Sequence, residues 1–243
     1  MSTVTGLLTA NAARWKKAKL TRASEFGPVA KRLIAAKARY QAVAAKTGVP
    51  WFVIAVIHQR ESSQNFSRSL AQGDPWNQVS THVPKGRGPF ASWEAAAIDA
   101  LVNCAPYASK WKDWSPGGTM TLLEQYNGLG YASKGLPSPY VWSGTDQYVS
   151  GKYVADGVFS ATTVDKQLGC AGLIMAMAAL DPSISFSGNV PVLTDAPVPQ
   201  SKPPVSKSEK SIVASSAAAA GAATVQYGIW IGVGVAALLI VSA

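Results

Sequence analysis

A mainly helical domain, with a turn-rich loop or hairpin as a cleft wall and a membrane helix at the C-terminal end, is what this sequence predicts. Three observations carry that expectation. Apolar residues recur at intervals of three or four in several segments between positions 28 and 180, the period of helices that bury one face. Two long stretches, 67–89 and 124–157, lose that period and fill with turn formers. From Ser211 to Ala243 no charged residue occurs.

Composition divides the 243 residues into four parts. Residues 1–27 read as a polar, basic lead-in with one short helix around Ala10 to Lys19. Residues 28–187 hold most of the tryptophans and suffice for one globular core. Residues 188–210 are rich in Pro, Ser and Lys, the composition of an extended linker. Residues 211–243 read as a transmembrane segment, because Val225 to Val241 is strongly apolar with Tyr227 and Trp230 at interfacial positions. No secretory signal is expected, since the basic cluster Arg14, Lys16, Lys17 and Lys19 follows the short apolar piece instead of preceding it.

The formal net charge of +9 suits an anionic partner such as a membrane surface or a bacterial wall polymer. Nucleic acid is not expected, because charge is the sole argument for it and no recognition motif accompanies the charge. Cys104 and Cys170 lack CxxC or Cys/His spacing, so no metal site is expected and no cofactor is suggested. Two buried thiols are expected in preference to a disulfide.

Taken in order, Pro28 is expected to open a helix with Val29, Leu33, Ala36, Tyr40 and Val43 on its apolar face, stopped at Gly48. Pro50 then precedes seven apolar residues, Trp51 to Ile57, which leave no polar face and predict a helix buried on all sides. Glu61 ends it. Residues 67–89 form a long loop or small hairpin, with Trp76, His82 and Phe90 arguing for order and for a cleft wall. Ser92 can cap a helix from Trp93 to Asn103. A further helix is expected over Thr119 to Tyr126, then an ordered loop wall over 124–157, then a helix from Thr163 to Leu180 stopped by Asp181-Pro182.

Helical spacing puts Ile54, Ile57 and His58 on one face with Glu61, at the rim of an apolar surface near a helix C-terminus. Burial and the negative helix end both favour the protonated carboxyl there, which is the form that can protonate a glycosidic oxygen. A surface glutamate closing a core helix is the other reading. His58 and His82 are expected to be structural.

The run IHQRESSQNF resembles the glutamate-serine signature of the lysozyme superfamily, in particular goose-type lysozymes and soluble lytic transglycosylases, at Glu61 and Ser62. QYNGLGYA, from Gln125, looks like their tyrosine-asparagine-glycine segment, and SPYVWSGTDQY resembles the tyrosine-bearing stretch after it. From Trp51 to Leu180, including GDPW and VSTHVPKGRGPF, the chain is similar to phage and prophage lysozyme-family proteins. The resemblance implies an α+β lysozyme-like domain that cleaves bacterial peptidoglycan between N-acetylmuramic acid and N-acetylglucosamine. In it Glu61 is the general acid, and Tyr126, Asn127 and Tyr148 contact the sugar. The glycine-leucine-methionine-glutamine segment usual in transglycosylases has no clear counterpart after Glu61.

A hydrolase needs a second carboxylate across the sugar, whereas a transglycosylase can use one acid and close an internal anhydro ring. Asp74 is the candidate, with Ser80 or Thr81 following where a hydroxyl can hold water; a turn aspartate in Gly-Asp-Pro is the alternative. Glu124 either faces the cleft or serves a helix turn. A non-catalytic wall-binding or lysis protein is the rival function.

Overall fold

The computed structural model describes residues 4–71 and 73–187; the linker expected over 188–210 and the membrane helix expected over 211–243 lie outside them. The described chain runs α1 (Val4–Lys17), α2 (Ala23–Ala35), α3 (Lys37–Thr47), α4 (Trp51–Ser62), α5 (Trp93–Asn103), α6 (Pro116–Asn127), α7 (Pro139–Trp142), β1 (Lys152–Ala155), β2 (Val158–Ser160) and α8 (Cys170–Leu180). It is mainly helical. Among the described residues no single helix is long and apolar enough to cross a membrane.

Helix α4 is the axis of the core. Every residue from Trp51 to His58 is buried, and α3 and α8 pack against it. The all-apolar run therefore lies where its composition demands, since no side of it tolerates water. Ser63 ends the helix in the left-handed region at φ 54°, and its N–H bonds back to Gln59 O at 3.0 Å while Gln64 N–H reaches His58 O at 3.2 Å. This closure satisfies the last carbonyls and holds Glu61 in the final turn.

Helix α2 begins five residues before Pro28, not at it. The correction has a packing cause: Phe26 is fully buried against α8, so the turn that carries it is drawn into the core. Gly172 leaves the room for that ring, since a Cβ there would stand 2.3 Å from Phe26 Cζ. The single helix expected from Val29 to Val43 is two, broken at Ala36. Apolar periodicity continued through the break because both halves face the same core.

The lead-in of residues 1–27 is more structured than its basic composition suggests. Its helix runs from Val4, earlier than Ala10, and packs along α6, where Gly117 permits a close approach to Leu8 and Ala12. Buried Asn11 joins the two helices, its Nδ2 donating to Thr121 Oγ1 at 3.2 Å and to Glu124 Oε2 at 3.3 Å. Arg14 Nη1 donates to Asn11 Oδ1. Glu124 thus lies inside the α1/α6 contact, which disposes of its expected choice between cleft and helix turn.

Burial raises the Glu124 carboxyl to about 7, against the lowering effects of Asn11 and Arg14. The folded chain then binds more protons than the unfolded chain between the ordinary carboxylate range and pH 7. Stability is full below that range and falls as pH rises towards 7, by a total on the order of 3 kcal/mol. Urea unfolding followed from pH 4.5 to 8 is expected to show this decline in the parent chain and to lose most of it in Glu124→Gln.

Ser92 caps α5 as expected, accepting from Ala95 N–H at 3.1 Å. Of the two forms expected for 67–89 the loop is found: among its described residues there is one bridge, Arg68 to Pro75, while the antiparallel strand pair is β1 with β2 at 152–160. Three prolines remove backbone donors from 67–89, and the segment folds around side-chain acceptors instead. Helix α8 starts at Cys170, not Thr163, because Asp165 is held by partners from other elements and Gly169 lies against Val141 and Ser143. Cys104 and Cys170 are both buried.

Candidate active site

Glu61 is brought to the end of α4 with only 8 % of its surface exposed. Tyr140, from the first turn of α7, donates its hydroxyl to Glu61 Oε1 at 3.0 Å. Burial raises the Tyr140 phenol well above its ordinary value, the Glu61 charge adds to this, and the phenol stays a neutral donor. Tyr126, on α6, is raised by burial and then by the same Glu61 charge; its hydroxyl donates to Leu70 O at 3.1 Å. The carboxyl is thus flanked by phenols from two helices. Cys170 of α8 also feels the Glu61 charge, and burial keeps its thiol protonated.

A pocket of about 200 Å³ opens beside Tyr126. Ala71, Val83 and Pro84 bring the 67–89 segment to one side of it, and Cys104 and Tyr107 bring the turn after α5 to the other. It is smaller than a typical ligand cleft, and Glu61 is not among the residues that line it.

The remaining sequence candidates are placed as follows. Ser62, next to Glu61, donates its hydroxyl to His58 O in its own helix at 3.3 Å. Asn127 is the half-buried last residue of α6. Tyr148 is buried with its hydroxyl donating to Gly151 O at 3.1 Å and accepting from Asp165 N–H at 2.9 Å. In the SPYVWSGTDQY stretch it is Tyr140, a residue the sequence did not single out, that bonds Glu61, while the Tyr148 hydroxyl is engaged with backbone groups.

Asp74 organises its loop. Its Oδ2 accepts from Thr81 N–H at 2.8 Å and His82 N–H at 2.9 Å, and its Oδ1 meets His82 Nδ1 at 2.5 Å. Burial alone raises its carboxyl, but the His82 backbone and ring bonds and the Thr81 bond outweigh that and lower it below the usual range. Thr81 contributes its backbone here, and its side chain is exposed. Ser80 is buried: its hydroxyl donates to Pro84 O and accepts from Arg87 N–H, both at 2.9 Å. Asp74→Ala removes a charged acceptor from three donors, so the loop is expected to loosen by about 2 kcal/mol. Faster proteolytic nicking within 67–89 at unchanged far-UV circular dichroism is the expected reading. In the parent chain the same loosening sets in as pH falls through the depressed carboxyl value.

Sequence reasoning missed Tyr140, which bonds Glu61, and the buried ion cluster of Arg60, Asp165 and Lys152. Arg60 is 5 % exposed and Asp165 2 %, with Nη2 to Oδ2 at 2.9 Å; Lys152 Nζ reaches Asp165 Oδ1 at 2.9 Å. One signal was available, for a charged residue at the end of an all-apolar helix needs a buried partner. His58 is fully buried and bonded through Nδ1 to Tyr40 at 3.0 Å, with burial lowering it to about 4, so it is neutral and structural.

Among the described residues no group of three His, Cys, Asp or Glu is placed to hold a metal ion. No family model, no curated protein and no solved structure matches this chain.

Proposed function

We propose that this chain is a peptidoglycan-degrading glycosidase of the lysozyme type, cleaving the β-1,4 bond between N-acetylmuramic acid and N-acetylglucosamine with Glu61 as general acid. The observation that carries the reading is the Glu61 environment: a carboxyl buried at the last turn of an apolar helix, taking a hydrogen bond from Tyr140 and flanked by Tyr126. Such a setting suits a carboxyl that gives up a proton inside a water-poor site. The sequence resemblance at Glu61, Ser62 and the QYNGLGYA run supports the same reading.

In the proposed step Glu61 transfers its proton to the bridging oxygen as the bond to the anomeric carbon breaks, and the sugar passes through an oxocarbenium-like state. Water then completes the reaction in a hydrolase. The substrate is bacterial peptidoglycan, and the apolar stretch 225–241 tethers the enzyme to a membrane. Basic residues outnumber acidic ones in the chain, which supports attraction to anionic wall polymers.

A second reading, transglycosylation to a 1,6-anhydro product, is favoured by Asp74. Both its oxygens already accept hydrogen bonds from the loop that carries it, so it is poorly placed to serve as a free second carboxylate. Mass spectrometry of fragments released from purified peptidoglycan by the full-length chain separates the readings. Reducing-end muramic acid supports the hydrolase, anhydro ends support the transglycosylase, and no release by the parent chain leaves the wall-binding alternative.

A further inference from the structure

We propose that Asp165, with Lys152, is a positioning residue for Glu61: it takes up the charge of Arg60 and so keeps the neighbouring carboxyl able to hold a proton. Its catalytic meaning rests on the function proposed above. The physical problem is local. Arg60 and Glu61 are consecutive in the last turn of α4, and both are buried. A buried guanidinium beside a carboxyl favours the carboxylate, and a carboxylate cannot act as a general acid.

The structure places a counter-charge where it addresses that problem. Arg60 Nη2 bonds Asp165 Oδ2 at 2.9 Å, and Nη1 donates to Leu168 O at 3.4 Å. Asp165 is itself fixed from several sides: Lys152 from β1, Tyr148 O–H against its backbone N–H, and Ser143 Oγ donating to its carbonyl at 2.7 Å. Despite burial, the Arg60 and Lys152 charges keep its carboxyl below the usual range, so it stays an anion. The held guanidinium lies 4.8 Å from the centre of the Tyr140 ring, the same ring whose hydroxyl bonds Glu61. One connected set therefore runs from Lys152 through Asp165, Arg60 and Tyr140 to Glu61.

Tyr126 of α6, Tyr140 of α7 and Cys170 of α8 each feel the Glu61 charge; Arg60 and His58 share its helix, and Asp165 and Lys152 are joined to Arg60 through ion pairs. His58, the two phenols and the thiol are neutral near pH 7. Arg60, Asp165 and Lys152 are the linked charges that reach Glu61 through Tyr140. A cluster that only braces the fold would disturb Glu61 in the same sense whichever end is removed, whereas a charge-balancing one predicts opposite effects from its two ends.

The experiment is carbon-13 NMR titration of carboxyl-labelled glutamates in the full-length chain. Glu61→Gln assigns the Glu61 signal among five glutamates. Asp165→Asn is expected to move the Glu61 midpoint to lower pH by roughly half a unit or more, because Arg60 then acts unopposed. Lys152→Met is expected to move it to higher pH, because Asp165 then gains weight. The pH-activity limb assigned to the acid moves with each. Should Asp165→Asn fail to fold, Lys152→Met, whose side chain is 16 % exposed, carries the test. Unmoved midpoints, or both moving the same way, overturn the proposal. Shifts of opposite sign in a chain that releases no glycan fragments uphold the charge arrangement and overturn the proposed activity instead.

Discussion

On the proposed mechanism, Glu61→Gln is expected to lower glycan-strand cleavage by the full-length chain by about 10²–10⁴-fold while leaving its melting temperature near that of the parent. The amide has the size of the carboxyl and can keep a partner for the Tyr140 hydroxyl, which donates to Oε1 at 3.0 Å in the parent. What it cannot supply is a transferable proton. Fragment release from purified peptidoglycan, measured beside thermal unfolding, checks both halves of the expectation. Full activity in Glu61→Gln would move the acid elsewhere and sink the proposed mechanism. Tyr140→Phe separates positioning from chemistry, since it removes the hydroxyl and leaves the carboxyl in place; its loss of rate is expected to be smaller than that of Glu61→Gln.

The second large effect is on stability. Trp93→Ala destabilises the fold by about 3–5 kcal/mol, the range for deleting a fully buried large aromatic side chain. Trp93 is 1 % exposed and is the first residue of α5. Its ring meets Tyr40 of α3 at 5.7 Å, His58 of α4 at 4.7 Å and Phe66 at 4.8 Å. Arg39 lies over Phe66 and Trp93 and is bonded to Glu94, so one ring ties three helices and the residue that leads into the 67–89 segment. The surrounding residues belong to separate helices and cannot close the space by moving one element. Chemical denaturation checks the value, and a loss below about 1 kcal/mol would show that the cluster repacks. Trp93 packs on the turn of α4 just before Glu61, so the same variant is also expected to reduce cleavage.

Much of the architecture was legible in the residues because it depends on local signals. Seven consecutive apolar side chains after Pro50 demand a buried helix, and Ser92 before Trp93 marks a capped start. These readings need only neighbours in the chain. Errors arose where a distant residue overrode a local one. Pro28 is a good first helical residue, yet Phe26 pulled an additional turn into the core. Residues 163–169 have tolerable helix composition, yet the Asp165 N–H donates to the Tyr148 hydroxyl and its carbonyl accepts from Ser143, so neither serves a helix ladder. The turn-rich 67–89 stretch left a loop and a small hairpin open, and the loop won because its carboxylate Asp74 gathers the backbone donors.

The candidate site divides along the same line. By itself the sequence determined that a glutamate ends a buried apolar helix, because hydrophobic periodicity and burial are properties of contiguous residues. Only the tertiary structure decided which groups surround it. Tyr140 lies 79 positions from Glu61, and Asp165 lies 105 from Arg60. Side-chain hydrogen bonds and buried ion pairs act over a few ångströms in space and carry no trace in sequence spacing, so the choice of Tyr140 over Tyr148, the interior place of Glu124 and the partner of Arg60 came from packing alone.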